Sequence, residues 1–304
     1  MVWIEGEATA HLVADSGSVV EATPLPAPSV VRAVTITRLG WLHHYSQDAL
    51  VLLQLRGCSY VEASEGRFEL ARGDWIAFDP DSRQQVRATR SGMAIGLVLP
   101  RRLFTAMPDQ GGLLPGRRQI SARDIRIALR LWRAYQAIPG EPGHLIALLL
   151  HLGDQQAALH SLVARCPGRT AARRWQVLAR MQRVRMMLQG NLDRPVRLAE
   201  LAALTRFSEW WVSKTYHAIY GETIQESSQR MRMQRARALL EHTDLSISEI
   251  GEACGFPDPC SFARLFKQRH GQPASLWRAV QQAQRQELSS QPPALPDVGP
   301  APGN

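Results

Sequence analysis

The chain has 304 residues, enough for two domains with separate cores, and 45% of them are hydrophobic against 21% charged. Lys and Arg number 36 against 27 Asp and Glu, a formal net charge of +9 that suits a polyanionic partner. Four cysteines without C-x-x-C spacing argue for a reduced, cytoplasmic protein over a disulfide framework, and no apolar run reaches membrane-spanning length.

Residues 1–28 end in ATPLPAPS and predict a flexible arm. The opening MVWIEGEATAHLVADSG has neither the positive start nor the unbroken apolar stretch of a signal peptide. Residues 29–105 change to short runs rich in β-branched and aromatic residues: VVRAVTIT, ALVLLQLRG, SYVEA, RFELA, WIAFD, QQVRA and MAIGLVLP. Turns at Ser64-Glu65-Gly66, Arg72-Gly73-Asp74 and Ser91-Gly92 separate them, which predicts a small antiparallel β-barrel or sandwich. His43 and His44 are neighbours, so on a strand they point to opposite faces, and the next histidine is His144.

Residues 106–168 predict a linker and then a helical pair, Ser121–Ala137 and Pro142–Arg165. Ile125, Ala128, Leu129, Trp132 and Tyr135 share one face of the first helix, and Leu145, Leu148, Leu149, Leu152 and Leu159 one face of the second. Two uses fit this pair, a dimerisation hairpin or a cover for the strands. CPGRT at Cys166–Thr170 marks a hinge. Residues 169–283 predict an all-α domain, and the Pro- and Gln-rich residues 284–304 a disordered tail. From Arg169 to Val280 there are 18 Lys+Arg and 10 Asp+Glu, so 18 − 10 = +8 of the excess charge lies here.

The all-α domain contains a repeat. Ser246-Ile247-Ser248-Glu249 is a capping box that opens a short helix from Ile247, Gly255 supplies a turn residue, and Asp258 caps a helix running from Pro259 to about His270. Fifty residues upstream, Gly221 answers Gly271, Ser208 answers Asp258, Val212 answers Phe262, Lys214 answers Arg264, Tyr216 answers Phe266 and His217 answers Lys267. Each copy reads as two short helices around a turn, the second of them basic: a helix-turn-helix. A helix of about eighteen residues, or about 27 Å, separates the copies, a spacing suited to successive major grooves.

The motifs R-x-x-x-A-x-x-L-L at Arg232, Ala236, Leu239 and Leu240, I-x-E-I at Ile247–Ile250, and G-F-x-D-x-x-x-F-x-R-x-F-K-x-x-x-G at Gly255–Gly271 closely resemble the AraC/XylS family of bacterial transcription regulators. Cys260, Ala274, Trp277 and Arg206 depart from the family's usual Ser, Pro, Tyr and turn Gly. The resemblance implies an α+β multidomain protein, with a cupin-like N-terminal barrel and helical pair before two helix-turn-helix units. The run Gly66–Pro80, G-x-F-x-L-x-x-G-D-W-I-x-F-x-P, looks like the barrel turn of the family's sensor domains. It further implies double-stranded promoter DNA, a small-molecule effector, RNA polymerase and a second subunit as partners, no membrane, and activation as the commoner mode.

By match to the family motif, Trp210, Ser213 and Lys214 in the first unit and Cys260, Ser261 and Arg264 in the second fall on base-contacting positions. Trp can pack on a thymine methyl, while Lys and Arg reach guanine O6 and N7. His217 shares the exposed side, and Lys267 and Gln268 are placed to hold phosphate. Trp41, His43, Tyr45 and Trp75 are candidates for an effector pocket. A metal-dependent cupin needs H-x-H, a carboxylate and a third histidine, whereas this chain has Asp81-Ser82-Arg83 at the later position, so no metal or cofactor is expected. A cupin-type enzyme with a helical appendage and a constitutive DNA-binding protein with a structural barrel stay open as alternatives at this point.

Overall fold

The computed structural model describes residues 11–27, 30–45, 47–107, 112–138 and 141–281, so the tail and the first ten residues of the arm lie outside it. The fold is mixed α+β and divides into two compact units, one spanning Met1–Asn191 and Pro195–Ser228, the other Leu192–Arg194 and Gln229–Asn304.

The first unit is built on two sheets. The strands are β1 (Leu12–Ala14), β2 (Val19–Ala22), β3 (Arg32–Thr37), β4 (Trp41–His44), β5 (Ala49–Arg56), β6 (Ser59–Ala63), β7 (Gly66–Leu70), β8 (Asp74–Phe78), β9 (Gln84–Ala88), β10 (Met93–Leu99) and β11 (Gly116–Gln119). One sheet has the order β1-β3-β10-β5-β8-β11 and the other β2-β4-β9-β6-β7. These are two sheets, not a closed barrel: no strand pairing among the described residues joins one to the other. Val34, Leu50, Leu52, Ile76 and Phe78 from the first sheet meet Leu42, Val61, Phe68 and Val86 from the second in one buried core.

The six-stranded sheet is covered on its other face as well. Helices α2 (Ala122–Ala137) and α3 (Pro142–Asp154) lay Ala128, Trp132, Tyr135, Leu145, Leu148 and Leu152 on Val51, Leu53, Trp75, Ile95 and Leu97. Burial on both faces explains why β5 and β8 read as unbroken apolar runs instead of alternating. Trp132 donates its indole N–H to the Gly96 carbonyl (3.1 Å) and Tyr135 its hydroxyl to the Val31 carbonyl (2.8 Å), so these aromatic groups are buried without losing their hydrogen bonds. Of the two uses open to the helical pair, covering the strands is the one these contacts display.

Strands β1 and β2 lie in the stretch read as an arm. They pair in parallel with β3 and β4, Val13 opposite Thr35 and Val20 opposite Leu42. Three- and four-residue strands carry too little periodicity to register alone; the sheet edges order them. The stretch read as strands ends in a short helix, α1 (Arg101–Phe104), and the stretch read as linker contains β11.

Beyond α3 come a short helix α4 (Ala157–His160) and a 3-10 turn (Ser161–Arg165). Then α5 (Ala171–Gly190) begins at Thr170, whose side chain accepts the Arg173 N–H, and α6 (Leu198–Thr205) and α7 (Glu209–Tyr220) follow. Near its end α5 meets the sheets closely. A Cβ on Gly190 would sit 2.6 Å from the Glu65 carbonyl oxygen, and Met186 enters the core between the sheets. Arg183 Nε donates to Glu65 Oε1 at 2.8 Å and its Nη1 lies 3.4 Å from Asp79, while Ser82 Oγ donates to the same Glu65 oxygen at 2.7 Å. Glu65 is fully buried.

Helix α8 (Ile224–His242) starts in the first unit and continues into the second, where α9 (Ile247–Ala253) and α10 (Pro259–His270) follow. Met233, Ala236, Leu240, Ile250, Cys254, Phe262 and Phe266 form the second unit's core.

Candidate nucleic-acid interface

The two helix-turn-helix copies are alike in the devices that set their geometry. Asp258 caps α10 by accepting the N–H groups of Cys260 (3.1 Å) and Ser261 (2.9 Å), and Pro259 takes the first helical position. The Ser261 hydroxyl, then the two backbone N–H groups, hold the Asp258 carboxyl below its ordinary range. The cap's charged form therefore persists from neutral pH down past the usual aspartate pKa, and is lost only as pH falls through the lowered value. Ser208 does the same work for α7, accepting the Trp211 N–H at 3.3 Å. Both helices end on a left-handed glycine, Gly221 at φ 73° and Gly271 at φ 77°.

The turns differ. Gly255 stands at φ 71°, and a Cβ there would lie 2.6 Å from the Asp193 carbonyl oxygen. Arg206 takes the left-handed turn of the first copy at φ 56°, a conformation that costs a non-glycine residue about 1 kcal/mol or more. In the second copy Arg232 buttresses the turn: its guanidinium donates to the Gly255 carbonyl (2.9 Å) and lies 4.3 Å from the Phe256 ring centroid. Gly255→Ala should lower stability by more than about 1 kcal/mol, since it adds both the left-handed penalty and a clash with backbone. Thermal unfolding of the variant checks this; a melting curve superposable on the parent would show the turn is not under this constraint.

With Val212, Thr215, Tyr216 and Ile219 buried, α7 turns Trp210, Ser213, Lys214 and His217 to solvent. Trp210 is 68% exposed, and the Lys214 ammonium sits 4.7 Å from its ring centroid. An exposed tryptophan this large, held by a cation at one helical turn, is an apolar platform with a charge beside it. Trp211 instead stacks on Phe207 at 3.8 Å between centroids.

With Phe262 and Phe266 buried, α10 turns Cys260, Arg264, Lys267 and Gln268 outward. Ser261 is half-buried, and its hydroxyl is engaged with Asp258 at 2.6 Å. Neither Arg264 nor Lys267 makes an ion pair among the described residues, so each presents its charge to solvent on a helix whose core side is fixed by aromatic rings. Cys254 is different from Cys260: burial pushes its thiol up to about 11, which makes it a small core hydrophobe and not a reactive group.

Of the four effector-pocket candidates, three stand together. Trp41, His43 and Tyr45 form a row of rings along β4, with centroids 6.2 Å and 5.8 Å apart, while Leu42 and His44 between them point into the core. Arg87 covers Trp41 at 5.0 Å and Gln85 donates to the Tyr45 hydroxyl at 2.7 Å. The structure places Trp75 elsewhere, fully buried on β8 under α2 and α3. Sequence reasoning passed over Glu65 and Arg183. Glu65 sits in a turn motif and Arg183 on a basic helix, each ordinary in its own segment, and only the fold joins them.

A helix-turn-helix family model matches residues 201–279, which run from within α6 past the end of α10. The HTH-type transcriptional activator RhaR of Salmonella schwarzengrund is 34% identical over 91 residues, 30% of this chain and 32% of the relative. The transcriptional activator NphR of a Rhodococcus species is 35% identical over 106 residues, 34% of this chain and 30% of the relative. The C-terminal segment is an AraC-type DNA-binding domain. The chain spans about a third of the length of the curated relatives it matches, and the matching part is this AraC-type domain. Among solved structures, the DNA-binding domain of AdpA in complex with a target DNA aligns with a TM-score of 0.34 and 23% identity, covering 35% of this chain and 96% of that one. No helix among the described residues is long and apolar enough to cross a membrane.

Proposed function

We propose that the protein is a sequence-specific transcription regulator that reads double-stranded DNA through α7 and α10. The observation that carries this reading is the repeated helix-turn-helix whose outward faces hold unpaired Lys214, Arg264 and Lys267 beside exposed Trp210. In this reading Arg264 and Lys214 donate to guanine edges, Trp210 packs on a thymine methyl, and Ser213, Cys260 and Ser261 complete the base contacts. Lys267, Gln268 and His217 hold phosphate and set register.

The two sheets with their helical cover serve as a cupin-like sensor for a small effector, and the functional division falls near Arg169. A second subunit fits on α3, where Ile146 and Leu150, each 42% exposed, stand one turn apart. Activation through RNA polymerase is the expected output, since RhaR and NphR carry activator names.

Alanine variants test the reading, once a binding site has been selected from random duplexes. Arg264→Ala should cost about 1–3 kcal/mol on that site and lose discrimination at one base pair. Lys267→Ala should weaken all sequences about equally and lower the salt slope by roughly one unit. A well-folded Arg264→Ala that kept full affinity and base preference would remove α10 as a base reader.

A further inference from the structure

The cavity beside α5 differs from the rest of the first unit in its chemistry. It holds about 320 Å³ and falls in the ordinary size range of ligand pockets. One wall comes from the β8–β9 turn and α1, the other from α5 and the end of α6. Phe104, Leu113 and Trp175 give it an apolar floor, each at most 2% exposed.

Charged groups ring this floor. Two of the arginines are matched: Arg101 donates to Asp81 at 2.5 Å, and Arg183 lies between Glu65 and Asp79. The other two, Arg180 and Arg206, make no ion pair among the described residues. Arg180 is half-buried, stacked 4.6 Å from the Phe207 ring centroid. Loss of solvent, then the like charges of Arg173 and Arg206, push its pKa down against the opposing pull of Asp79. Counting Glu65 behind the wall, four guanidinium groups face three carboxylates. The Trp175 indole N–H is also buried without an acceptor among the described residues. A half-buried cation whose opposing carboxylate, Asp79, already serves Arg183 is a costly arrangement that an anion relieves.

We propose that this cavity binds a small organic acid, its carboxylate held by Arg180 and Arg206 and its apolar body lying on Phe104, Leu113 and Trp175. A planar carboxylate matches the guanidinium fork in two parallel hydrogen bonds, and the apolar floor favours an organic acid over inorganic phosphate. Arg180 stands on α5 and Arg206 closes the turn of the first helix-turn-helix, so the ligand ties that unit's reading segment to the sheets. This deepens the proposed effector gating and rests on it. It also moves the effector away from the Trp41, His43 and Tyr45 row.

Calorimetric titration of the full chain with benzoate and with hexanoate tests the site, with benzamide and inorganic phosphate as controls and DNA affinity followed in parallel. One of the two acids should bind, with benzamide at least about tenfold weaker than benzoate, because the amide offers the arginines no charge. Arg180→Gln should weaken acid binding by about tenfold or more while retaining DNA binding. Arg206→Asn, a residue that accepts the left-handed turn, should do the same without disturbing the fold. Three results would overturn the proposal: no binding of either acid at millimolar concentration, acid binding that survives both substitutions in folded protein, or an Arg180→Gln variant whose only defect is a smaller salt slope on DNA. The last would assign the arginine to DNA phosphate. In each case steep, salt-dependent DNA binding by the parent chain would leave the regulator reading standing.

Discussion

Arg183→Met is expected to destabilise the first unit by about 3–5 kcal/mol. Glu65 is fully buried and Arg183 nearly so, and the guanidinium reaches Glu65 at 2.8 Å and Asp79 at 3.4 Å. Methionine fills much of the same volume, so packing is largely kept. What goes is the counter-ion of a carboxylate that has no water to fall back on. The remaining partner of that Glu65 oxygen, the Ser82 hydroxyl at 2.7 Å, does not neutralise a charge. Urea denaturation followed by a probe in the sheets measures the loss as a lower midpoint at unchanged slope. The double variant Glu65→Leu with Arg183→Met should recover most of it, because removing both charges leaves nothing uncompensated. If Arg183→Met alone cost under about 1 kcal/mol, the pair would be behaving like an exposed one.

The consequence extends beyond stability. The pair joins a turn between two strands to the helix that opens the DNA-binding segment, across 118 residues of sequence. Asn191 adds to the same join, donating to the Glu65 carbonyl (2.9 Å) and to the Met187 carbonyl (2.8 Å). The first helix-turn-helix is therefore anchored to the sheets by buried polar groups, and whatever shifts the sheets near Glu65 reaches α5 directly.

What was legible in the sequence was what is local. Pro259–His270 begins and ends where Asp258 and Gly271 mark it, because a cap and a left-handed stop are made within a few residues. The fifty-residue repeat shows in the structure as paired caps and paired buried positions, Val212 with Phe262 and Tyr216 with Phe266. The central strands were legible because short apolar runs such as LVLLQL, bounded by turn residues, suit a buried strand.

The rest depends on partners distant in sequence. Strands β1, β2 and β11 are three or four residues long and exist because a sheet edge receives them. Trp75 illustrates a different limit: an aromatic residue on a strand lines a pocket or fills a core depending on what covers that face, and here α2 and α3 cover it. Barrel against two sheets turns on which edge strands pair, and no local pattern in Gly66–Pro80 decides that. The Arg180 and Arg206 pair was likewise out of reach, since one lies on a basic helix and the other in a turn, and only the fold brings them to one cavity.

The central claim is that this chain binds DNA through cationic faces on its two reading helices, and salt dependence tests it most directly. Residues 169–280 carry 18 Lys+Arg and 10 Asp+Glu, and the outward faces of α7 and α10 hold Lys214, Arg264, Lys267 and Arg269. If about four phosphates are neutralised, log affinity should fall with log salt at a slope of about −3.6, at about −0.9 per phosphate. Between about 50 and 200 mM salt the full chain should then lose roughly a hundredfold in affinity for a selected duplex. The measurement is a fluorescence-anisotropy titration of that duplex at four or five salt concentrations. A slope steeper than about −3 is the expected result; a slope near zero would contradict DNA recognition by these helices.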